Sequence, residues 1–357
     1  MGVTLKKIAE LAGVSTGTVD RALHDRGRVD PKVSQRIKEL AAELGYRPNS
    51  VAKGLSIRNK NLKITVILHV QNLNTYFQDV VTGIQKCKDE IADFGISVTI
   101  RLCPDFDAEA QLNLINQAIA EGVHAIAIVP INSPLIQNRL NELYQQNFPV
   151  VFLTNIIGDT SYLSFVGCNY TRVGQITAGL LNMLQPVSGK LLLFSPSFQM
   201  MGHIMRAEGL KTQLEKEYPH IQLQQTYEMT GDDIRDYQIT AAALAAYPDT
   251  NLFVCTGAYS HGNLQAIAES GYYQKARIIC YDYSKEIGDE IKNRNITASI
   301  TQCPQEQGYY AVKILFDYLT ANQLPRFKDH YILTRIIMKE NLEEIELIRE
   351  QYMPDIR

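Results

Sequence analysis

From residue 62 onward the chain alternates short β-branched apolar runs with amphipathic stretches of helical period, in two successive series. The first series predicts strands at Lys63 to His69, Ile96 to Leu102, Ala125 to Pro130, Pro149 to Leu153 and Leu163 to Gly167. The second predicts strands at Lys190 to Ser195, Ile221 to Tyr227, Leu252 to Thr256 and Arg277 to Tyr281. Between them, Phe77 to Phe94, Glu109 to Glu121, Leu135 to Gln146 and Gly202 to Glu217 have the apolar spacing of helices. Such repetition folds as parallel, doubly wound sheets, so this body is read as two successive α/β lobes of about 148 residues each.

Residues 1 to 60 follow another plan. Thr4 is placed to cap a helix with Leu5, Ile8, Ala9 and Ala12 on one face, and Gly13 ends it. Ser15 then caps a second helix, Thr16 to about Leu23, with Val19, Ala22 and Leu23 inward and Thr16, Gly17, Asp20 and Arg21 outward. Asp30-Pro31 opens a third helix with an inner stripe of Val33, Ile37, Leu40, Ala41 and Leu44, stopped at Gly45. Helix, tight turn, helix is a DNA-reading unit. The run from Tyr46 to Leu55 predicts a helix of under two turns that orders only against something else, because nucleation is costly and Gly54 opposes it.

Charge divides at the same place. The formal net charge of −3 conceals 12 Lys and Arg against six acids in residues 1 to 60, and 23 against 32 in the rest. A head of +6 on a body of −9 points to a polyanion partner for the head alone. No apolar run approaches the ~20 residues of a membrane span, and the first residues show no secretory leader, so no membrane partner and a cytoplasmic location are expected. The six cysteines are scattered without a CxxC pair and read as buried thiols.

The residues Thr4-Leu5-Lys6-Lys7-Ile8-Ala9, Ala12-Gly13-Val14-Ser15, Thr18-Val19, Arg21-Ala22-Leu23 and Gly45-Tyr46-Arg47-Pro48-Asn49 carry a resemblance to the LacI/GalR family of bacterial transcription regulators. That resemblance implies a helix-turn-helix head (1–48), a hinge helix and linker (49–61) and a two-lobed, periplasmic-binding-protein-like (type I) sensor (62–357) that dimerises. By position it places Thr16, Gly17 and Arg21 against base edges and Leu55 in the minor groove. The DNA-facing set is Thr4, Ser15, Thr16, Gly17, Thr18 and Arg21 in the head, with Asn49, Ala52, Lys53 and Leu55 in the hinge. Arg21 is chemically suited, since its fork bonds guanine O6 and N7 together. Asp20 departs from the family's usual small hydroxyl residue, and Gly17 has no side chain with which to read a base.

In open α/β sheets ligands sit beyond the carboxyl ends of strands. Those ends supply Asn72, Tyr76, Phe77, Asn132, Asn155, Asn169, Thr256, Tyr259, Asp282, Tyr283 and Gln302, and Arg206 joins them from the helix after Leu191 to Phe194. Amides and a carboxylate hold paired hydroxyls while aromatic rings cover the apolar face of a pyranose, which suits a sugar or sugar derivative. The resemblance marks Phe77, Asn169, Arg206, Asp282 and Gln302 as ligand contacts. It departs at Cys255-Thr256-Gly257-Ala258, where the family usually has an Asn-Asp pair.

Other readings have less behind them. Asp282 and Asn169 also suit turns or helix caps, and Arg206 suits an ion pair with Glu208. Gly13-Val14-Ser15-Thr16-Gly17 matches a serine-nucleophile pattern, but a helix precedes it where a strand is required. His203 and His261 have no second ligand at metal spacing, so neither a metal nor a cofactor is expected. Leu342, Ile345, Ile348 and Tyr352 span under two heptads, too few to argue a tetramer. A transport binding protein fits the body alone; an enzyme lacks a phosphate loop, HExxH or triad. The expectation is a homodimeric, non-enzymatic regulator of a pseudo-palindromic operator, controlled by a small molecule.

Overall fold

The structure, a computed structural model, describes residues 3–23, 27, 29–46, 57–69, 75–104, 107–196, 198 and 200–352. The hinge candidates Asn49, Ala52, Lys53 and Leu55, and Asn72 of the effector set, lie outside the described residues. The chain divides into two compact units, Met1–Lys60 and Asn61–Arg357.

The first unit contains helices α1 (Leu5–Ala12), α2 (Thr16–Leu23) and α3 (Pro31–Glu43). Thr4 accepts a hydrogen bond from the Lys7 amide, and Gly13 turns the chain at φ 67°, which a side chain would resist. Asp30 accepts from the amides of Lys32 and Val33 with Pro31 in the first turn. Ile8, Val19 and Ile37 are fully buried, joined by Ala9, Ala22 and Ala41. Full burial of an aliphatic side chain contributes about 1.5–3 kcal/mol, so three such residues hold this small core. Leu40, expected inside, is only partly buried.

The second unit holds two six-stranded sheets. Lobe one contains β1 (Lys63–His69), β2 (Ser97–Cys103), β3 (Ala125–Ile128), β4 (Val150–Leu153), β5 (Ser164–Gly167) and β11 (Asp329–Tyr331), in the order β11-β5-β4-β3-β1-β2 and all parallel. Lobe two contains β6 (Gly189–Ser195), β7 (Ile221–Glu228), β8 (Leu252–Cys255), β9 (Arg277–Tyr281), β10 (Ala298–Thr301) and β12 (Arg335–Ile337), in the order β12-β10-β9-β8-β6-β7. Only β12 runs antiparallel to its neighbour.

The lobes are not successive halves, which corrects the sequence reading. The chain passes from lobe one to lobe two after β5, returns after β10, and crosses again after β11. The helix following β10, Pro304–Ala321, packs on Thr75–Glu90, the helix after β1; that following β5, Tyr170–Leu184, packs on Met201–Glu217, the helix after β6. Both contacts are close enough to need glycine. A Cβ on Gly308 would lie 2.1 Å from the Val80 carbonyl oxygen, and one on Gly174 would lie 2.2 Å from that of Arg206.

Candidate functional site

The carboxyl ends of the central strands of both sheets face a cavity of about 290 Å³. That is just below the usual range for small-molecule sites, roughly 300–1,000 Å³, and suits a monosaccharide better than a nucleotide. Lobe one contributes His69, Thr75, Tyr76, Phe77 and Thr154, with Tyr170 on the crossover. Lobe two contributes Pro196, Met200, Gly202, His203, Arg206, Gly257, Ala258, Tyr259, Asp282, Tyr283 and Ser284, with Gln302 on the return.

Arg206 organises the floor. It is 3% exposed. Its guanidinium lies between the rings of Tyr170 and Tyr281, at 4.8 and 4.7 Å from their centroids. Such desolvated cation–π contacts fix the plane of the fork. Nη1 donates to the Thr256 carbonyl and Nη2 to Gln302 Oε1. Gln302 Nε2 in turn donates to both Asp282 oxygens, at 2.8 and 3.0 Å. A cation, an amide and an acid thus form one chain of hydrogen bonds along the cavity wall.

The backbone is shaped for this. Asp282 and Thr154 follow β9 and β4 with φ of 65° and 57°. Left-handed non-glycine residues are strained and collect at ligand sites. Burial pushes the Asp282 carboxyl up to about 6 although Arg206 and Gln302 draw it back. Burial and then Arg206 push the His203 imidazole down to about 3, while His203 Nδ1 lies 2.9 Å from the Thr256 carbonyl. Burial likewise pushes His69 down to about 4 against a backbone hydrogen bond at Val129. Both imidazoles are therefore neutral, and Arg206 and Asp282 offset one another. Arg206 Nε, Thr154 Oγ1 and the Tyr259 hydroxyl are buried without a hydrogen-bond partner. Buried polar groups are normally paired, so these three atoms are suited to hydroxyls of a bound molecule.

The strand-end rule brings Tyr76, Phe77, Arg206, Tyr259, Asp282, Tyr283 and Gln302 together. Four other candidates do not line the cavity. Asn169 is exposed and caps its helix by accepting from the Arg172 amide, Asn155 donates to the Pro130 carbonyl at 2.7 Å, Thr256 donates to Ser195 Oγ at 3.0 Å, and Asn132 is exposed beside Met201. Each makes a hydrogen bond within the chain, Asn132 to Met201 Sδ, and only Asn155 keeps a buried unpartnered atom, Oδ1. The sequence reading missed His69, Thr75, Thr154 and Tyr170 as cavity residues. All lie within six residues of a strand it had placed, so the same rule applied to every polar or aromatic residue there would have included them.

In the head, Thr16, Gly17 and Arg21 are exposed on α2, opposite buried Val19 and Ala22. Ser15 Oγ accepts from the Thr18 amide at 3.1 Å and lies 2.9 Å from Thr18 Oγ1. Thr4, Ser15 and Thr18 therefore shape the helix ends. Arg21 Nε donates to the Gly17 carbonyl at 3.1 Å, a bond that does not use the Nη groups. Asp20 lies near enough to Tyr46 for its charge to push that phenol up, after burial. Among the described residues, no cluster of three or more His, Cys, Asp or Glu could hold a metal ion, and no helix is long and apolar enough to cross a membrane.

Comparison with known proteins divides the chain at the same place. The profile of the periplasmic binding protein domain family matches residues 64–323, and that of the lacI family of bacterial regulatory proteins matches residues 4–49. Catabolite control protein A of Streptococcus mutans is 25% identical over 357 residues, covering 97% of this chain and 95% of its own. The protein of that name from Priestia megaterium is 24% identical over 89% of this chain and 93% of its own. Among solved structures, a glucose-galactose binding protein from Geobacillus stearothermophilus superposes with TM-score 0.71 at 19% identity, covering 79% of this chain and 98% of its own. A solute binding protein from Bacillus halodurans with bound myo-inositol gives 0.72 at 16% identity, covering 80% of this chain and 98% of its own.

Proposed function

Because the chain belongs to the periplasmic binding protein domain family through its body and to the lacI family of bacterial regulatory proteins through its head, we propose that it acts as a cytoplasmic homodimer on a pseudo-palindromic operator and answers to an uncharged sugar or sugar-like polyol. The chain is an effector-controlled DNA-binding regulator. One observation carries the effector class: the cavity's charges cancel within its own Arg206–Gln302–Asp282 chain. Among the described lining residues Arg206 is the only permanent cation; both its Nη groups donate within the chain and its guanidinium lies over two rings. A sugar phosphate would find no second cation to balance its charge, whereas hydroxyls suit Arg206 Nε, Thr154 Oγ1 and the Tyr259 hydroxyl in a cavity also lined by the Phe77 ring. The similar structures named for glucose-galactose and holding myo-inositol fit this class, and the relatives' name, catabolite control, fits a sugar signal.

In the proposed mechanism Arg21 and Thr16 meet base edges while the hinge residues enter the minor groove. One head offers few contacts, so two heads read two half-sites. The effector binds one arrangement of the lobes more tightly than the other and so alters how the heads are presented. No reaction is assigned to the chain, and a bound sugar should be recovered unchanged.

The test is a thermal-shift screen of neutral sugars, polyols, sugar phosphates and nucleobases, with each hit retested against a DNA site selected from random sequence. A neutral sugar or polyol is expected to raise Tm and change DNA affinity. Asp282→Asn should remove that response and leave DNA binding intact. A response confined to phosphorylated sugars or nucleobases overturns the effector class, and failure to select any DNA site overturns the regulator reading.

A further inference from the structure

The lobes are joined by more than their crossovers. The final helix, α13 (Leu342–Tyr352), lies beyond residues 64–323 matched by the binding-protein family. Its start is rooted in lobe two, where Leu342 is buried with Ile287, Ile291 and Ile337 and Ile345 packs against them. Further along, Glu346 Oε1 accepts from the Tyr283 hydroxyl at 3.0 Å. Arg349 donates from both Nη groups to the two oxygens of Asp79, Nη2 to Oδ1 at 3.0 Å and Nη1 to Oδ2. The same guanidinium lies 4.7 Å over the Tyr283 ring. Asp79 sits on the first helix of lobe one, two residues from Phe77, and is 2% exposed. Tyr283 belongs to lobe two and lines the effector cavity. One arginine therefore touches a buried acid of one lobe and a cavity wall of the other.

We propose that α13 is a latch across the effector cleft: Arg349 clamps Asp79 to hold the lobes together, and with Glu346 it seats Tyr283 against the cavity. The Asp79 carboxylate is buried opposite a cation carried by the other lobe. Burial pushes that carboxyl up while Arg349, and after it a hydrogen bond with Gln305, draw it back, so losing Arg349 leaves a buried acid with only an amide partner and favours an opening that returns it to water. A groove of about 1150 Å³, lined in part by Lys86, Tyr309, Ile345 and Ile348, lies between this end of α13 and the helix pair of lobe one. A second ion pair, Arg335 Nη2 of β12 to Glu306 Oε1 at 3.0 Å, also spans that groove but is exposed on both sides, whereas the Arg349–Asp79 pair is bidentate with a buried acid and forms or breaks as a unit. The latch adds to the closed arrangement alone and so sets the open–closed balance against which any effector works. The inference rests on the two-lobed cleft and stands whatever molecule occupies the cavity.

The test uses the full-length, ligand-free protein in a Cys303→Ser background. Spin labels are placed at Asp93→Cys and Lys275→Cys, exposed positions that precede β2 and β9 and so lie at the lobe ends away from the cleft. Electron–electron double resonance then reads the distance between lobes. Arg349→Met is expected to lower the closed-to-open ratio about tenfold, the usual weight of a lost hydrogen bond to a charged group. Arg349→Lys, which keeps the charge but loses the fork, should fall between, and Asp79→Asn with Arg349→Met should be no more open than Arg349→Met alone. An unchanged distance distribution in Arg349→Met overturns the latch, as does full additivity in the double variant. Because no effector or DNA is added, this result is independent of the sensing reading.

Discussion

At the scale of single residues, the cavity is a set of ionisable groups held away from their ordinary states, and stability should record it. An unfolded His takes a proton near 6.5, but folded His203 and His69 do so only near 3 and 4. As pH falls below about 6.5 the unfolded chain binds protons that the folded chain refuses, so stability is lost progressively, to about pH 4 for His69 and about pH 3 for His203. Asp282 works in the opposite sense. Its folded carboxyl titrates near 6, so between about 6 and 4 the folded chain binds a proton first and gains stability. Two histidines, each displaced further than the one acid, outweigh it, for a net loss on the order of 2 kcal/mol between pH 7 and pH 5. His203→Gln should remove its share and flatten the Tm-against-pH curve relative to the parent; parallel curves would show that His203 is not held neutral. The sequence located Arg206, Asp282 and Gln302 through the strand-end rule, because strand ends are legible. Which way a side chain turns there is not. Asn169 could face a ligand or cap its own helix with the same residue at the same place, and it caps.

At the scale of elements, the strands placed from the sequence and the four body helices given bounds, such as Leu135 to Gln146, lie within a few residues of the observed ones because their apolar patterns are strong. What was not readable is the interleaving of the lobes. It depends on β11 and β12, of three residues each and too short to show a period, and on β10, whose Ala298-Ser299-Ile300-Thr301 holds one large aliphatic residue among small and polar ones. It depends equally on helix contacts written in glycines, which in sequence look like weak helix positions. This gives a prediction of opposite signs. In a bare helix Gly→Ala stabilises by about 1 kcal/mol. Gly179, in the helix Tyr170–Leu184, has only the Tyr218 hydroxyl at 3.9 Å from a built Cβ, an ordinary contact, so Gly179→Ala should be neutral or stabilising. Gly308→Ala drives a methyl into the Val80 carbonyl and should destabilise by about 1–3 kcal/mol. Urea unfolding of both variants decides it: if Gly308→Ala stabilises as Gly179→Ala does, the close approach of the helices Thr75–Glu90 and Pro304–Ala321 is wrong.

At the scale of the whole molecule, the charge division coincides with the division into units at Lys60, which places +6 on one unit and −9 on the other. A body of that sign is repelled by phosphate, so DNA contact should be confined to the head and hinge, and it should depend steeply on salt. If two heads together neutralise six or more phosphates, operator affinity should fall by about 10³ or more between 50 and 200 mM salt. Arg21 separates the phosphate contribution from base reading. Its Nε is tied to the Gly17 carbonyl, which restrains the side chain without help from a side chain at position 17 and leaves the Nη groups unused by that bond. A fork fixed in that way is suited to a guanine edge. Arg21→Ala should therefore cost about 1–3 kcal/mol on the selected operator, relax one base position in each half-site, and change the salt slope little. Fluorescence anisotropy on operator and random duplexes at several salt concentrations measures all three. Equal losses on both duplexes, with a shallower slope, would make Arg21 a phosphate contact and leave base reading to Thr16.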